Sequence, residues 1–125
     1  MERYFFLTLL LVTGCGQSIT NIDSDPIVVY VDHVCGKHYK TFEYAPELIS
    51  EICYNTQPVM GCAPPVGIVI VMNLTDEYKC QAVLHECYHH KHHDETGDWD
   101  YSHIGPDWEG IPAACSGWHK AEDSQ

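Results

Sequence analysis

Apolar and polar positions alternate along this chain in more than one rhythm. Cys80, Val83, Leu84, Cys87 and Tyr88 fall at i, i+3, i+4, i+7 and i+8, the stripe of a helix that packs one face on a core. Asn73 or Thr75 can cap its start, Asp76 and Glu77 suit the positive end of its dipole, and Thr96-Gly97 supplies a stop. Just before it, Val66-Gly67-Ile68-Val69-Ile70-Val71-Met72 is a β-branched run bounded by Pro64-Pro65 and Asn73, and predicts a strand. Pro26-Ile27-Val28-Val29-Tyr30-Val31 predicts an earlier, first strand. Positions 46–55 predict a short helix, with Pro46 in its first turn and Leu48, Ile49, Ile52 and Cys53 on one side. Positions 58–65 read as a loop. The order strand, helix, strand, helix implies an α+β domain with a small sheet.

The polar side of the helix at 80–96 carries His85-Glu86-Cys87-Tyr88-His89, an H-E-x-x-H pentad. Residues four apart on a helix lie one turn apart on one face, so His85 and His89 can point ring nitrogens at one metal ion. Glu86 flanks them, close enough to take a proton from water at that ion. A catalytic zinc takes three protein ligands and keeps a fourth position open. His90, His92, His93, Asp94, Glu95, Asp98, Asp100 and His103 all follow closely enough to supply the third. The metzincin spacing fails, because positions 92 and 95 hold His and Glu and no Met follows position 72. Gly97, Gly105 and Pro106 make the following segment rich in turns, able to fold His103 back onto the helix. Trp108 could pack beneath such a site. Asp98 or Asp100 could orient a ligand histidine through its second ring nitrogen. His90, His92 and His93 read as an exposed last turn of helix, and His33, His38 and His119 as surface or hydrogen-bonded residues.

In Thr96-Gly97-Asp98-Trp99-Asp100-Tyr101-Ser102-His103-Ile104-Gly105-Pro106-Asp107-Trp108, His103 lies fourteen residues after His89 and precedes Gly-Pro and an aromatic residue. Over roughly residues 80–108 the chain resembles the SprT-like zincins, in which H-E-x-x-H is followed by a third His in an H-G-P-x-aromatic context. Ile104, inserted between His103 and Gly105-Pro106, departs from that pattern. The segment is also similar to small secreted or phage-type metallopeptidase domains. The resemblance implies a minimal zincin fold with one catalytic Zn2+ held by His85, His89 and His103, and Glu86 as general base. Glu95 and Asp94 are the rivals to His103. Tyr101, near His103 in sequence, is a candidate oxyanion donor.

Residues 1–14 read as a signal peptide. A short apolar run from Tyr4 to Val12 is followed by Val12-Thr13-Gly14-Cys15, which resembles a bacterial lipobox with Cys15 as the lipidated residue. Gly16 after Cys15 suits an outer-membrane lipoprotein under the family-level sorting rule, facing the periplasm or exterior. Residues 15–25 read as a flexible tether and 26–125 as one domain. Setting Cys15 aside leaves Cys35, Cys53, Cys62, Cys80, Cys87 and Cys115. An even set in a small exported domain predicts a disulfide framework, with bridges from Cys80 and Cys87 pinning the pentad-bearing helix. The absence of any C-x-x-C pair argues against a structural zinc site.

A formal net charge of −12 disfavours nucleic acid as a partner. The expected protein is therefore a monomeric, membrane-anchored metalloendopeptidase acting on a peptide or protein substrate, which would add as an extended strand to the sheet edge beside 66–72. The alternatives are a non-catalytic metal-binding lipoprotein and a cystine-stabilised interaction module.

Overall fold

The computed structural model describes residues 19–54 and 59–118. The signal peptide expected over residues 1–14, Cys15 and His119 lie outside the described residues. A mixed four-stranded sheet has the order β1-β2-β4-β3. β1 (Ile19–Asn21) runs antiparallel to β2 (Thr41–Tyr44), β2 is parallel to β4 (Ile68–Val71), and β3 (Gly61–Cys62) is antiparallel to β4 at the edge. Five helices complete the fold among the described residues: α1 (Pro26–Cys35), α2 (Pro46–Cys53), α3 (Asp76–Thr96), α4 (Pro106–Glu109) and α5 (Ile111–Cys115). The architecture is α+β, with β4 inside the sheet and α3 packed against it and against α1.

The first predicted strand is instead a helix. Asp25 caps α1, its side chain accepting from the Ile27 amide at 2.9 Å, and Pro26 occupies the first turn. Ile27, Val28, Val31 and Cys35 then bury one side. Local β-branched preference yields to the longer period and the cap, because the helix packs on α3, and its Ile27 and Val31 share one core cluster with Val83 and Leu84 of α3 and Ile68 and Ile70 of the sheet. The tether reading is also corrected over 19–25. Residues 19–21 pair with β2, and the Asp23 carboxylate accepts from the Thr41 amide at 2.7 Å. Within the loop predicted at 58–65, residues 61 and 62 form β3. A side chain on Gly61 would collide with the Val69 carbonyl, so glycine is needed where the two strands approach.

The short helix at 46 and the strand before the pentad stand where the pattern put them. Three disulfides tie the fold: Cys35–Cys87 joins α1 to the middle of α3, Cys80–Cys115 joins α3 to α5, and Cys53–Cys62 joins α2 to β3. Lys79 adds a partly buried ionic tie from α3, lying 2.7 Å from Glu43 of β2 and 3.7 Å from Asp25. No helix among the described residues is long and apolar enough to cross a membrane.

Candidate metal centre

α3 begins at Thr75, whose hydroxyl accepts from the Tyr78 amide at 3.4 Å, and ends at Gly97 in the left-handed conformation with φ 83°. Its buried surface is wider than an apolar stripe. Cys80, Val83, Leu84, Cys87 and Tyr88 are buried, and so are Glu86, His89 and His90. Burying polar groups costs free energy unless they are partnered or used, so the pentad face is where the helix departs from simple amphipathicity.

The chain after Gly97 doubles back. The His103 amide donates to the Asp100 carbonyl at 3.3 Å, and both residues have positive φ, 60° for Asp100 and 56° for His103. Strained backbone of this kind persists only where the surroundings enforce it. The turn returns His103 to the helix, and the ligand nitrogens of His85, His89 and His103 all lie within 4.8 Å of one another. The Nε2 atoms of His89 and His103 face each other at 3.1 Å. Two imidazoles on one tetrahedral zinc would hold their nitrogens about 3.3 Å apart. The trio therefore has the spacing and donor chemistry to hold a metal ion, and imidazole nitrogens suit zinc among others. The rivals are engaged elsewhere: Asp94 accepts from Lys37 Nζ and Tyr39 Oη, each at 3.1 Å, while Glu95 lies 4.0 Å from Lys91.

Burial and the neighbouring imidazoles hold His85 down to about 4, and burial lowers His89 too, against the pull of its hydrogen bond to Trp99. Both rings are neutral at physiological pH, the form a metal requires. His89 Nδ1 donates to the Trp99 carbonyl at 2.6 Å, which leaves Nε2 for the centre. That orienting role was expected of Asp98 or Asp100. Asp100 instead supports the loop, accepting from His92 Nδ1 at 2.7 Å, Trp108 Nε1 at 2.9 Å and Ser102 Oγ at 2.8 Å. Trp108 is buried, with its ring 5.0, 4.7 and 4.8 Å from those of His85, His89 and His103. It is the floor that the sequence suggested.

The histidine tract after the pentad is not a uniformly exposed turn. His90 is buried, stacked on Tyr39 and hydrogen-bonded to the Gly67 carbonyl, so it clamps α3 to the entry of β4. His92 is held between Asp100 and Asp107, and His93 stacks on Trp99 at 4.0 Å. The partners of His90 are distant in sequence, and no local signal assigns them. His38 pairs with Asp32 at 2.6 Å, and His33 is exposed.

Glu86 is 7% exposed, and burial alone raises its carboxyl to about 8. It shares with His85 a cleft of about 250 Å³ walled by Val59, Met60, Ala82 and Ile111. A carboxyl that burial holds largely protonated at neutral pH in the metal-free protein thus stands beside the histidine trio at a solvent-reached opening. No family model, no curated protein and no solved structure matches the chain.

Proposed function

We propose that this chain is an exported zinc metallopeptidase, anchored to the bacterial cell envelope through Cys15, with His85, His89 and His103 as metal ligands and Glu86 as general base. The observation that carries the reading is the buried Glu86 carboxyl opening, together with His85, onto one cleft beside the three-histidine cluster. A zinc ion held there would acidify water and polarise a scissile carbonyl. Glu86 would take the proton of the attacking water and deliver it to the leaving amine. Trp108 and the Trp99 carbonyl would hold the ligand rings in place.

The site to which an extended substrate would add is β3, because β4 is flanked by β2 and β3. The Val71 amide donates to the Met60 carbonyl at 2.9 Å, so the antiparallel alternation turns the N–H and C=O of Gly61 outward, toward the free edge. One residue of an extended peptide could pair there. The likeness of residues 80–108 to SprT-like zincins supports the same catalytic core. The three disulfides favour an oxidising compartment, in keeping with export. The acidic composition sets the protein apart from nucleic-acid-binding members of that family.

The test is cleavage of a mixed peptide pool, read by mass spectrometry. The expected result is cleavage by the zinc-loaded protein that a chelator abolishes and added zinc restores. Metal binding without any cleavage would favour the metal-binding lipoprotein instead.

A further inference from the structure

On the opposite side of β3 from the Glu86 cleft lies a second depression of about 380 Å³, lined by Ile52, Tyr54, Ala63, Pro65, Trp99 and Tyr101 and floored by the Cys53–Cys62 bridge. Two of its lining residues, Trp99 and Tyr101, also touch His89 of the candidate metal centre. The Tyr101 ring lies 5.4 Å from that of His89, and the Trp99 carbonyl accepts from His89 Nδ1. Two aromatic side chains stand open at its rim, Tyr54 at 94% exposure and Tyr101 at 72%. Tyr54 is held outward by a left-handed backbone with φ 52° at the end of α2, and the disulfide fixes that helix end to β3. Exposed aromatic rings beside an apolar floor are unusual on a surface that is otherwise strongly acidic.

Successive residues of a strand face opposite sides. Gly61 lines the Glu86 cleft and Cys62 lines the aromatic depression. An extended peptide paired with Gly61 would place neighbouring side chains alternately, so one of them would enter this depression while the backbone passes the histidine cluster. No carboxylate, amide or guanidinium lines the depression among the described residues. Sugar hydroxyls would find no charged or amide side chain to hold them there. A flat apolar side chain would stack on Tyr54 and Tyr101 and cover the bridge and prolines.

We infer that the depression between α2, β3 and the Trp99–Tyr101 loop is a specificity subsite that takes an aromatic or large apolar side chain of a peptide laid along β3. The inference deepens the metallopeptidase reading and rests on it for the peptide's course past the histidines. Tyr54 and Tyr101 are its specificity-determining residues, and neither is assigned a part in proton transfer.

The experiment uses binding, so it does not depend on turnover. The zinc-loaded Glu86→Gln protein, labelled for NMR, is titrated with blocked hexapeptides of Gly and Ser that carry one Phe at each position in turn. Parallel titrations use the matching Ala and Asp peptides and a tetramer of N-acetylglucosamine. The expected result is shifts centred on Tyr54, Tyr101 and the Trp99 indole N–H. The best Phe peptide should bind about tenfold more tightly than its Ala counterpart, and Tyr54→Ala should remove that ratio. Equal binding of Phe and Ala peptides, shifts centred elsewhere, or tighter binding of the sugar tetramer would overturn the inference. The two readings fail separately. Wild-type protein that cleaves nothing while Phe peptides fill the depression removes the peptidase and leaves the subsite. Cleavage without preference and a silent depression removes the subsite and leaves the peptidase.

Discussion

His89 donates its Nδ1 proton to the backbone carbonyl of Trp99 at 2.6 Å. The bond joins the second histidine of the pentad to the loop that brings back His103, so the segment that supplies one candidate ligand also fixes which nitrogen of another would face a metal. The stability of that loop would consequently set the affinity of the proposed metal site, and its anchor is Asp100.

Replacing Asp100 should therefore weaken metal binding without touching a ligand. The carboxylate accepts from His92, Trp108 and Ser102, and Asp100→Ala removes all three bonds. We expect zinc affinity to fall about ten- to a hundredfold, the usual effect of losing support behind metal ligands. Trp108→Phe keeps most of the ring beneath the histidines but loses the Nε1–H bond, and should fall less. Competition with a chromogenic chelator measures both. Unchanged affinity in Asp100→Ala would show that His103 is held by other means.

The same cluster predicts a pH signature in the metal-free protein. His92 is raised from its ordinary 6.5 by its hydrogen bond to Asp107, with burial opposing and Asp100 adding. Its contribution is therefore full below about pH 6.5 and is lost as pH rises through the higher folded value. Asp100 is pulled to about 2 by bonds from Trp108, Ser102 and His92, and Asp107 is lowered by His92, with burial opposing and Lys91 adding. Those contributions hold above the ordinary carboxylate range and fade as pH falls through the lowered folded values. The difference in unfolding free energy between wild type and His92→Gln should be greatest near about pH 5 and shrink toward alkaline pH. A difference that grows above neutrality would contradict this arrangement.

The bridges should differ in their weight. Cys35–Cys87 closes 52 residues, Cys80–Cys115 closes 35 and Cys53–Cys62 closes nine. Loop-closure entropy assigns them about 4.1, 3.8 and 2.6 kcal/mol respectively. Paired Cys→Ser variants of the two long-loop bridges should each lose more melting temperature than the 53–62 pair, which is tolerated best. The greatest loss in the 53–62 pair would contradict it. That variant also frees α2 from β3, so it should blunt binding in the aromatic depression more than it lowers stability.

Much of the centre could be read from residue order, and the misses have identifiable physical causes. The caps at Thr75 and Gly97, the pentad and the strand before it are local signals, and each stands where local chemistry put it. Pro26–Val31 reads as strand because Ile27, Val28, Val29 and Val31 dominate a short window. The decisive features were Asp25 as cap and the spacing through to Cys35, which become visible only over ten residues. β1, β2 and β3 are two to four residues long and are defined by their partners rather than by their own pattern. His90 carried no sign of burial in its own neighbourhood, because Tyr39 and the Gly67 carbonyl reach it from other parts of the chain. His103 was legible through its turn-rich loop. The Trp99 carbonyl, being backbone, was not.

Ligand identity is open to direct substitution. His85→Ala, His89→Ala and His103→Ala should each lose stoichiometric zinc at micromolar protein. Glu95→Ala and Asp94→Ala should keep it, since Asp94 serves Lys37 and Tyr39 and Glu95 is exposed. Zinc content by elemental analysis after gel filtration decides. Loss in Glu95→Ala with retention in His103→Ala would transfer the third position to Glu95.

The central claim is that Glu86 is the base of a zinc peptidase, and the most direct measurement is zinc content and peptide cleavage rate on one preparation of Glu86→Gln. The account predicts one equivalent of zinc, as in wild type, with cleavage reduced about a hundredfold or more. Full zinc with an unchanged cleavage rate would contradict it.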